Sequence, residues 1–402
     1  MDLDSLKNSL PDLHQAEVSE KEFGNIDYTR PLNEYPTADK IVNFLLGKNT
    51  KNQHIYTKDL NVDGIAVQDS MEKYLETDAL QSSHLKKALI TPLHLSFSLD
   101  DDRAELEKLK GKKDYFELGT FLHQCILEPT KFSRVIVEPK YSLSSNEGVL
   151  SLTKFWEQTI ENQGFGINSQ GEQISVQDSF SEAMNDVAKL GLSVDKIDGK
   201  KVYLQSLKVL SGLEPVSEEH SMKIKILKKY YENYGGGILK DILKHSKREI
   251  SFYTEEDGIK LKVRPDAIQF EENIGVNAII SIKSTACEDF QAFCYNAAKL
   301  HYDLSEGMYQ DVVSKVTGRD FNTTIMIMLQ TVEPFGVAVM VWSAEDIETG
   351  KYKFRTALQI AKECQEKNHY PGYEAFAEEG CFGLIQMQLP QWNNKELLPA
   401  NT

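Results

Sequence analysis

Cysteine, positive charge and uninterrupted apolar sequence are all scarce in this 402-residue chain. The five cysteines (Cys125, Cys287, Cys294, Cys364, Cys381) are odd in number and scattered, with no CxxC pair. That excludes a disulfide framework and a zinc knuckle, and it fits buried or incidental thiols in a reducing, cytoplasmic setting. Lys and Arg total 45 against 61 Asp and Glu, for a formal charge of −16. Proteins that coat nucleic acid draw affinity from neutralising phosphates and are usually basic, so the balance counts against a coating role. An enzyme with a local basic groove on an acidic body is not excluded, because field and net charge are separate quantities. The longest apolar runs, such as Ile279 to Ile282, are strand-sized and fall short of the roughly 20 residues a spanning helix needs. The opening MDLDSLKNSLPDLHQ has neither the basic flank nor the apolar centre of a signal peptide, and no internal repeat is present. What is there, 41% hydrophobic and 26% charged, is the composition of a soluble globular protein with room for one large or two average domains.

Residues 1–75 read as a polar, loosely attached N-terminal extension with a helix at Thr37 to Leu46. Helical elaborations follow over 76–247. QSSHLKKALITPLHLSF opens on a Ser-rich cap and runs to Pro92, DDDRAELEKLKGK is a charged helix, and Phe116 to Leu127 is stopped by Glu128-Pro129. A helix from Val216 to Tyr234 ends at three glycines. Within it, KIKILKK (Lys223 to Lys229) is a basic run whose usual meaning is a solvated face. After Lys247 the texture turns to strands at Glu249 to Tyr253, Ile259 to Phe270, Ala278 to Ser284, Thr323 to Gln330 and Val337 to Trp342. Helices are expected at Cys287 to Thr317 and Ser343 to Glu366. The order implies a mixed α/β (α+β) core over 248–366, with a C-terminal tail over 367–402, rather than a doubly wound sheet.

The chemistry concentrates in VRPD (263–266) and AIISIKST (278–285). Residues i and i+2 share a strand face, so Ser281 and Lys283 point one way while Ile280 and Ile282 enter the core. On the preceding strand Asp266 is expected to share a face with Arg264 and Lys262. Neighbouring strands would gather Asp266, Ser281 and Lys283 around one pocket. A phosphodiester is an anion, and its hydrolysis is helped by a hard divalent ion on oxygen ligands and by an ammonium near the developing charge. Taken singly, Asp266 is an ordinary turn former after Pro265 and Lys283 an ordinary solubilising charge.

Together with other motifs in order, these residues resemble the exonuclease VIII (RecE-like) branch of the PD-(D/E)XK nucleases of phage and bacterial recombination. HLKKALITPLHLSF is similar to its N-terminal helix with an (S/T)P-x-H turn, and Gly119 to His123 with Leu127-Glu128-Pro129 and Phe132 to its GxxxH…LEP…F helix. KREISFYTEEDGIKLKVRPDAI, IISIKST and the tail PGY…LPQW complete the likeness over about residues 75–395. The resemblance implies a restriction-endonuclease-like core with a mixed central sheet flanked by helices, over a domain of 76–395. It implies Mg²⁺ or Mn²⁺ as cofactor, with Asp266, His123, the Ile282 carbonyl and, less directly, Glu249 as metal ligands. Lys283, Asp266 and Tyr309 take the catalytic positions. Duplex DNA ends are the implied substrate, a single-strand annealing recombination protein a partner, and a homo-oligomer the assembly, with no membrane role.

Two family positions are substituted: Ser281 stands where the (D/E)xK strand has its carboxylate, and Ser305 where the next helix has a glutamine four residues before the tyrosine. His301, one turn earlier on the 301/305/309 face, could reach the site in that glutamine's stead, but plain helix surface is the favoured reading for it. A hydroxyl brings no formal charge, and at ~1.4 kcal/mol per factor of ten a loss of ~3 kcal/mol means a hundredfold or more in metal affinity or rate. Glu249, Glu271 and Glu272 are available as replacements, though none shares the lysine's strand face. Three readings therefore stand: an impaired or rearranged DNA exonuclease, a catalytically inactive nuclease-shaped module that binds DNA or a partner, and an α/β protein with no nucleic-acid role.

Overall fold

The computed structural model describes residues 30–47, 58–100, 114–378 and 380–388. The expected charged helix at 101–112, the opening MDLDSLKNSLPDLHQ and the LPQW tail lie outside them. No described helix is long and apolar enough to cross a membrane.

The architecture is mixed α/β around a five-stranded sheet in the order 337–341, 323–330, 278–285, 267–269, 247–248. The central strand Ala278–Thr285 runs parallel to Thr323–Gln330 and antiparallel to Ala267–Gln269. Helices Phe290–Lys299 and Tyr302–Thr317 form the crossover that a parallel pair requires. Both faces of the central strand are covered, which is why it reads as a continuous apolar run. Ile280 and Ile282 pack with Leu118, Leu122 and Leu227 on one side. On the other, Ile279 packs with Leu304, Met308 and Phe354. A three-stranded antiparallel sheet, 65–67, 251–256 and 259–263, joins this second layer through Phe252, Leu261 and Val263. Helices Asn146–Gln163, Val176–Lys189 and Ile197–Ser211 form a satellite bundle with its own core around Trp156 and Leu207.

Two close approaches set the geometry that matters below. A Cβ on Gly350 would fall 2.1 Å from the Asp303 carbonyl oxygen, and one on Gly307 2.6 Å from the Lys351 nitrogen. Glycine at both positions lets Tyr302–Thr317 lie directly against the long helix Ala344–Lys367. On the opposite face, a Cβ on Gly119 would meet Ser284 Oγ at 2.8 Å, so helix Asp114–Leu127 presses onto the end of the central strand.

Three expectations are corrected. Ile259 to Phe270 is not one strand but two, Ile259–Val263 and Ala267–Gln269, which lie in different sheets. Pro265 has no N–H for a ladder and Arg264 is pulled aside by acids, so the chain breaks there. Lys262 consequently shares no face with Asp266. Its ammonium is buried and donates to the carbonyls of Tyr74, Leu75 and Thr77 at 2.9, 3.1 and 2.7 Å, capping the end of Met71–Glu76. Cys287 to Thr317 is two helices, parted where His301 adopts φ 49°. The N-terminal segment is not loosely attached where it is described. Strand Ile65–Val67 pairs with Ser251–Glu256, Val62 donates to the Val316 carbonyl at 2.8 Å, and the Tyr35 hydroxyl donates to the buried Glu348.

Candidate active site

The central strand carries Lys283, and the break after Arg264 carries Asp266 to its side. One Asp266 oxygen accepts the Ile282 N–H at 2.5 Å, and the other lies 3.5 Å from His123 Nδ1. His123 projects from Asp114–Leu127 one turn beyond Gly119, where that helix presses onto the strand. Asp266, His123 and Lys283 therefore converge on one site. Burial works against charge on all three, but mutual attraction outweighs it. Burial alone would raise the Asp266 carboxyl, yet His123 and Lys283 hold it below the ordinary range. Burial alone would lower His123 and Lys283, yet Asp266 raises both, with Glu306 adding to the effect on Lys283.

Glu306 was not among the expected site residues. It is fully buried on Tyr302–Thr317, and the Ser281 hydroxyl, at 2.9 and 2.8 Å from its two oxygens, donates to its carboxylate. Burial raises its pKa first, and the charges of Lys283 and Asp266 are both felt there, with opposite signs. A carboxylate thus stands directly over the strand position whose own side chain is a serine. The only trace in the sequence is an acid with Tyr302 four residues before it and Tyr309 three after. Ser305 is buried, and one residue along a helix is about 100° around the axis, a different face.

His301 does not replace the missing glutamine. It sits before the first turn of that helix in the left-handed conformation, its neighbouring charges being Lys353, Asp303 and Lys86 rather than Asp266 or His123. Tyr309 does face the site. Burial, then Glu306 and Asp266, push its phenol pKa upward, so it stays a neutral O–H donor.

Glu249 is close enough for Asp266 to raise its pKa after burial, but its carboxylate accepts from Arg264 Nε at 2.9 Å. Its backbone N–H donates to the Asp266 carbonyl at 3.1 Å, and its φ is 54°. Glu271 and Glu272 are paired with Arg319 at 3.3 and 2.8 Å, beyond the Ala278 end of the strand, and cannot compensate for Ser281. Ile282 contributes its N–H, which holds Asp266.

Residues 220–379 match the family model of a PDDEXK-like domain of unknown function (DUF3799). No protein among those curated for function matches the chain. Among solved structures, the crystal structure of a "Putative exonuclease" from Eubacterium rectale is similar at 12% identity and a TM-score of 0.35, over 81% of this chain and 96% of that one. The matched segment contains the mixed sheet together with Glu249, Asp266, Lys283 and Glu306, so the fold is a PD-(D/E)XK-like core. His123 is delivered to that core from an earlier helix.

Proposed function

We propose that the chain is a divalent-cation-dependent nuclease that hydrolyses DNA phosphodiesters, acting on linear duplex ends. Asp266 and Glu306 form its carboxylate pair and Lys283 is its catalytic ammonium. The observation that carries this reading is the hydrogen bond from Ser281 to Glu306, which puts a buried carboxylate at the strand position lacking one. The non-catalytic reading drew its force from that lack, and Glu306 supports the enzyme instead.

Mg²⁺ takes one or two carboxylates and completes its coordination with water and substrate phosphate. The Asp266–Glu306 pair fits it in donor type and in number, and Mn²⁺ accepts the same ligands. Among the described residues no group of three or more His, Cys, Asp or Glu could hold a metal ion. Water, substrate phosphate and a carbonyl such as that of Ile282 would therefore complete the coordination. Bound there, such an ion shields the phosphate and acidifies a water molecule.

The chain's own groups do the rest. His123, favoured in its charged form beside Asp266, orients that carboxylate. Lys283 stays protonated and places positive charge against the negative charge that develops on the phosphate oxygens. The Tyr309 hydroxyl supplies a neutral donor beside Glu306. Glu249 is assigned to holding Arg264 rather than to the ion.

The test is degradation of linear duplex DNA with Mg²⁺ or Mn²⁺ by wild type, Asp266→Asn, Lys283→Ala and Glu306→Gln. The expected result is metal-dependent nucleotide release that falls at least about a hundredfold in each variant, which corresponds to ~2.7 kcal/mol of transition-state stabilisation. A wild type inert with both ions, or a Glu306→Gln variant of wild-type activity, overturns the assignment.

A further inference from the structure

The second lysine of HLKKAL comes into view only once the fold is assembled. Helix Ser82–Ala88 lies against Tyr302–Thr317, with Leu85 and Ala88 buried in the layer that holds Leu304 and Met308. That contact carries Lys86 to the site. Its Nζ is 5.4 Å from the centroid of the Tyr302 ring, and Lys283 Nζ is 5.7 Å from the centroid of the same ring. Among the described residues neither ammonium makes a hydrogen bond or an ion pair within 4.0 Å. Both cations pack on the one tyrosine ring, and like charges so placed repel each other. Burial and then Lys283 push the Lys86 pKa down to about 8, with Glu306 and Asp303 pulling the other way.

An ammonium carries three donors and no acceptor. Leaving two such groups half-buried and unbonded around one ring costs free energy, and an anion with several acceptor oxygens would relieve it. Nucleic-acid phosphates are spaced along a strand, so a second cation beside the catalytic one would meet the backbone next to the reacting phosphate. We propose that Lys86 is a second phosphate-binding lysine of this site, contacting the DNA backbone beside the phosphate that Lys283 faces. This deepens the nuclease reading and rests on it for the identity of the anion.

The experiment compares wild type, Lys86→Ala, Lys86→Arg and, as a control from the same helix, Lys87→Ala. Binding of a labelled linear duplex is followed by fluorescence anisotropy in Ca²⁺ over a salt series, and cleavage is followed in Mg²⁺. For Lys86→Ala, affinity falls about tenfold, KM rises with kcat within about threefold, and the slope of log K against log salt becomes shallower by about one. Lys86→Arg restores affinity and slope, which a merely misfolded site would not show, and Lys87→Ala matches wild type. Lys86→Ala with wild-type affinity and slope, or with a loss confined to kcat, overturns the proposal. So does failure of Lys86→Arg to restore binding. A wild type that binds duplex with a Lys86-dependent slope yet never cuts keeps the contact and removes the nuclease reading. A wild type that binds no DNA removes both.

Discussion

Two clusters of acids and bases lie within a few residues of each other in this fold, and they are built on opposite principles. In the first, Arg264 donates from Nη1 to the Asp69 carbonyl, the Asp69 carboxylate and Ser251 Oγ at 3.1, 2.9 and 2.8 Å, and from Nε to Glu249 at 2.9 Å. The Tyr253 hydroxyl closes the other Asp69 oxygen at 2.6 Å. In the second, Lys283 and Lys86 have no such partners among the described residues, and Glu306 is met by a single neutral hydroxyl. Nε and Nη1 of the guanidinium are thus tied to protein acceptors and fix the chain where the two sheets part. The ammonium groups make no such bond among the described residues. A saturated cluster of charges buried in a core is structural; an unsaturated one at the edge of a strand is where chemistry can enter.

The sharpest way to break this contrast is Arg264→Ala. Arg264 and Asp69 side chains are 7% and 4% exposed, and removing one partner of a buried pair costs about 3–5 kcal/mol because the other charge is stranded. Urea unfolding should register that loss, while Lys283→Ala, which gives up no hydrogen bond, should cost clearly less stability as it removes activity. Equal effects from the two substitutions would erase the distinction.

A carboxylate swap tests the second cluster. Ser281→Asp alone places two acids at hydrogen-bond distance in a buried site. One must then take up a proton, and stability should fall by roughly 1–3 kcal/mol. Combining it with Glu306→Ser puts one acid back on the strand, and nuclease activity should return to within about tenfold of wild type. A double variant as dead as Glu306→Gln would show that the helix position itself, not the charge, is required.

Gly350→Ala drives a methyl into the Asp303 carbonyl oxygen. Displacing the helix that bears Glu306 and Tyr302 should cost about 1–3 kcal/mol and lower kcat more than it raises KM.

The smallest effect is one of pH. Burial alone would raise the Asp69 carboxyl, but the Ser251 and Tyr253 hydroxyls and Arg264 outweigh it and hold the pKa below the ordinary value. A depressed folded pKa gives stability that is present above the unfolded value of about 3.9 and is lost as pH falls through the folded one. Thermal unfolding of wild type should therefore steepen below about pH 4, and Asp69→Asn, less stable at neutrality, should show a flatter acid limb.

How much of this was legible beforehand can be argued residue by residue. Asp266, Lys283 and His123 each lie in a short motif with fixed spacing, and the fold does bring them together. Glu306 was hidden by the kink at His301. Periodicity read through the kink put 301, 305 and 309 on the site face, whereas the helix starts afresh at Tyr302 and turns Glu306 inward. The break at Arg264 was hidden because Ile259 to Phe270 alternates like a single strand. What parts it is an arginine bound to an aspartate 195 residues away. Nothing in HLKKAL singles out Lys86, because its neighbour in the site is delivered by a helix more than two hundred positions later.

The sequence by itself determined the local elements and the motifs that carry Asp266, Lys283 and His123. Side-chain periodicity, proline and the choice of charge at the end of an apolar strand act over a few residues and leave their mark there. Only the tertiary structure decided that Glu306 would lie over Ser281 and that Lys86 would share the Tyr302 ring with Lys283. Those choices depend on where buried surfaces of distant segments come to rest, and a buried charge settles wherever a hydroxyl and an opposite charge await it.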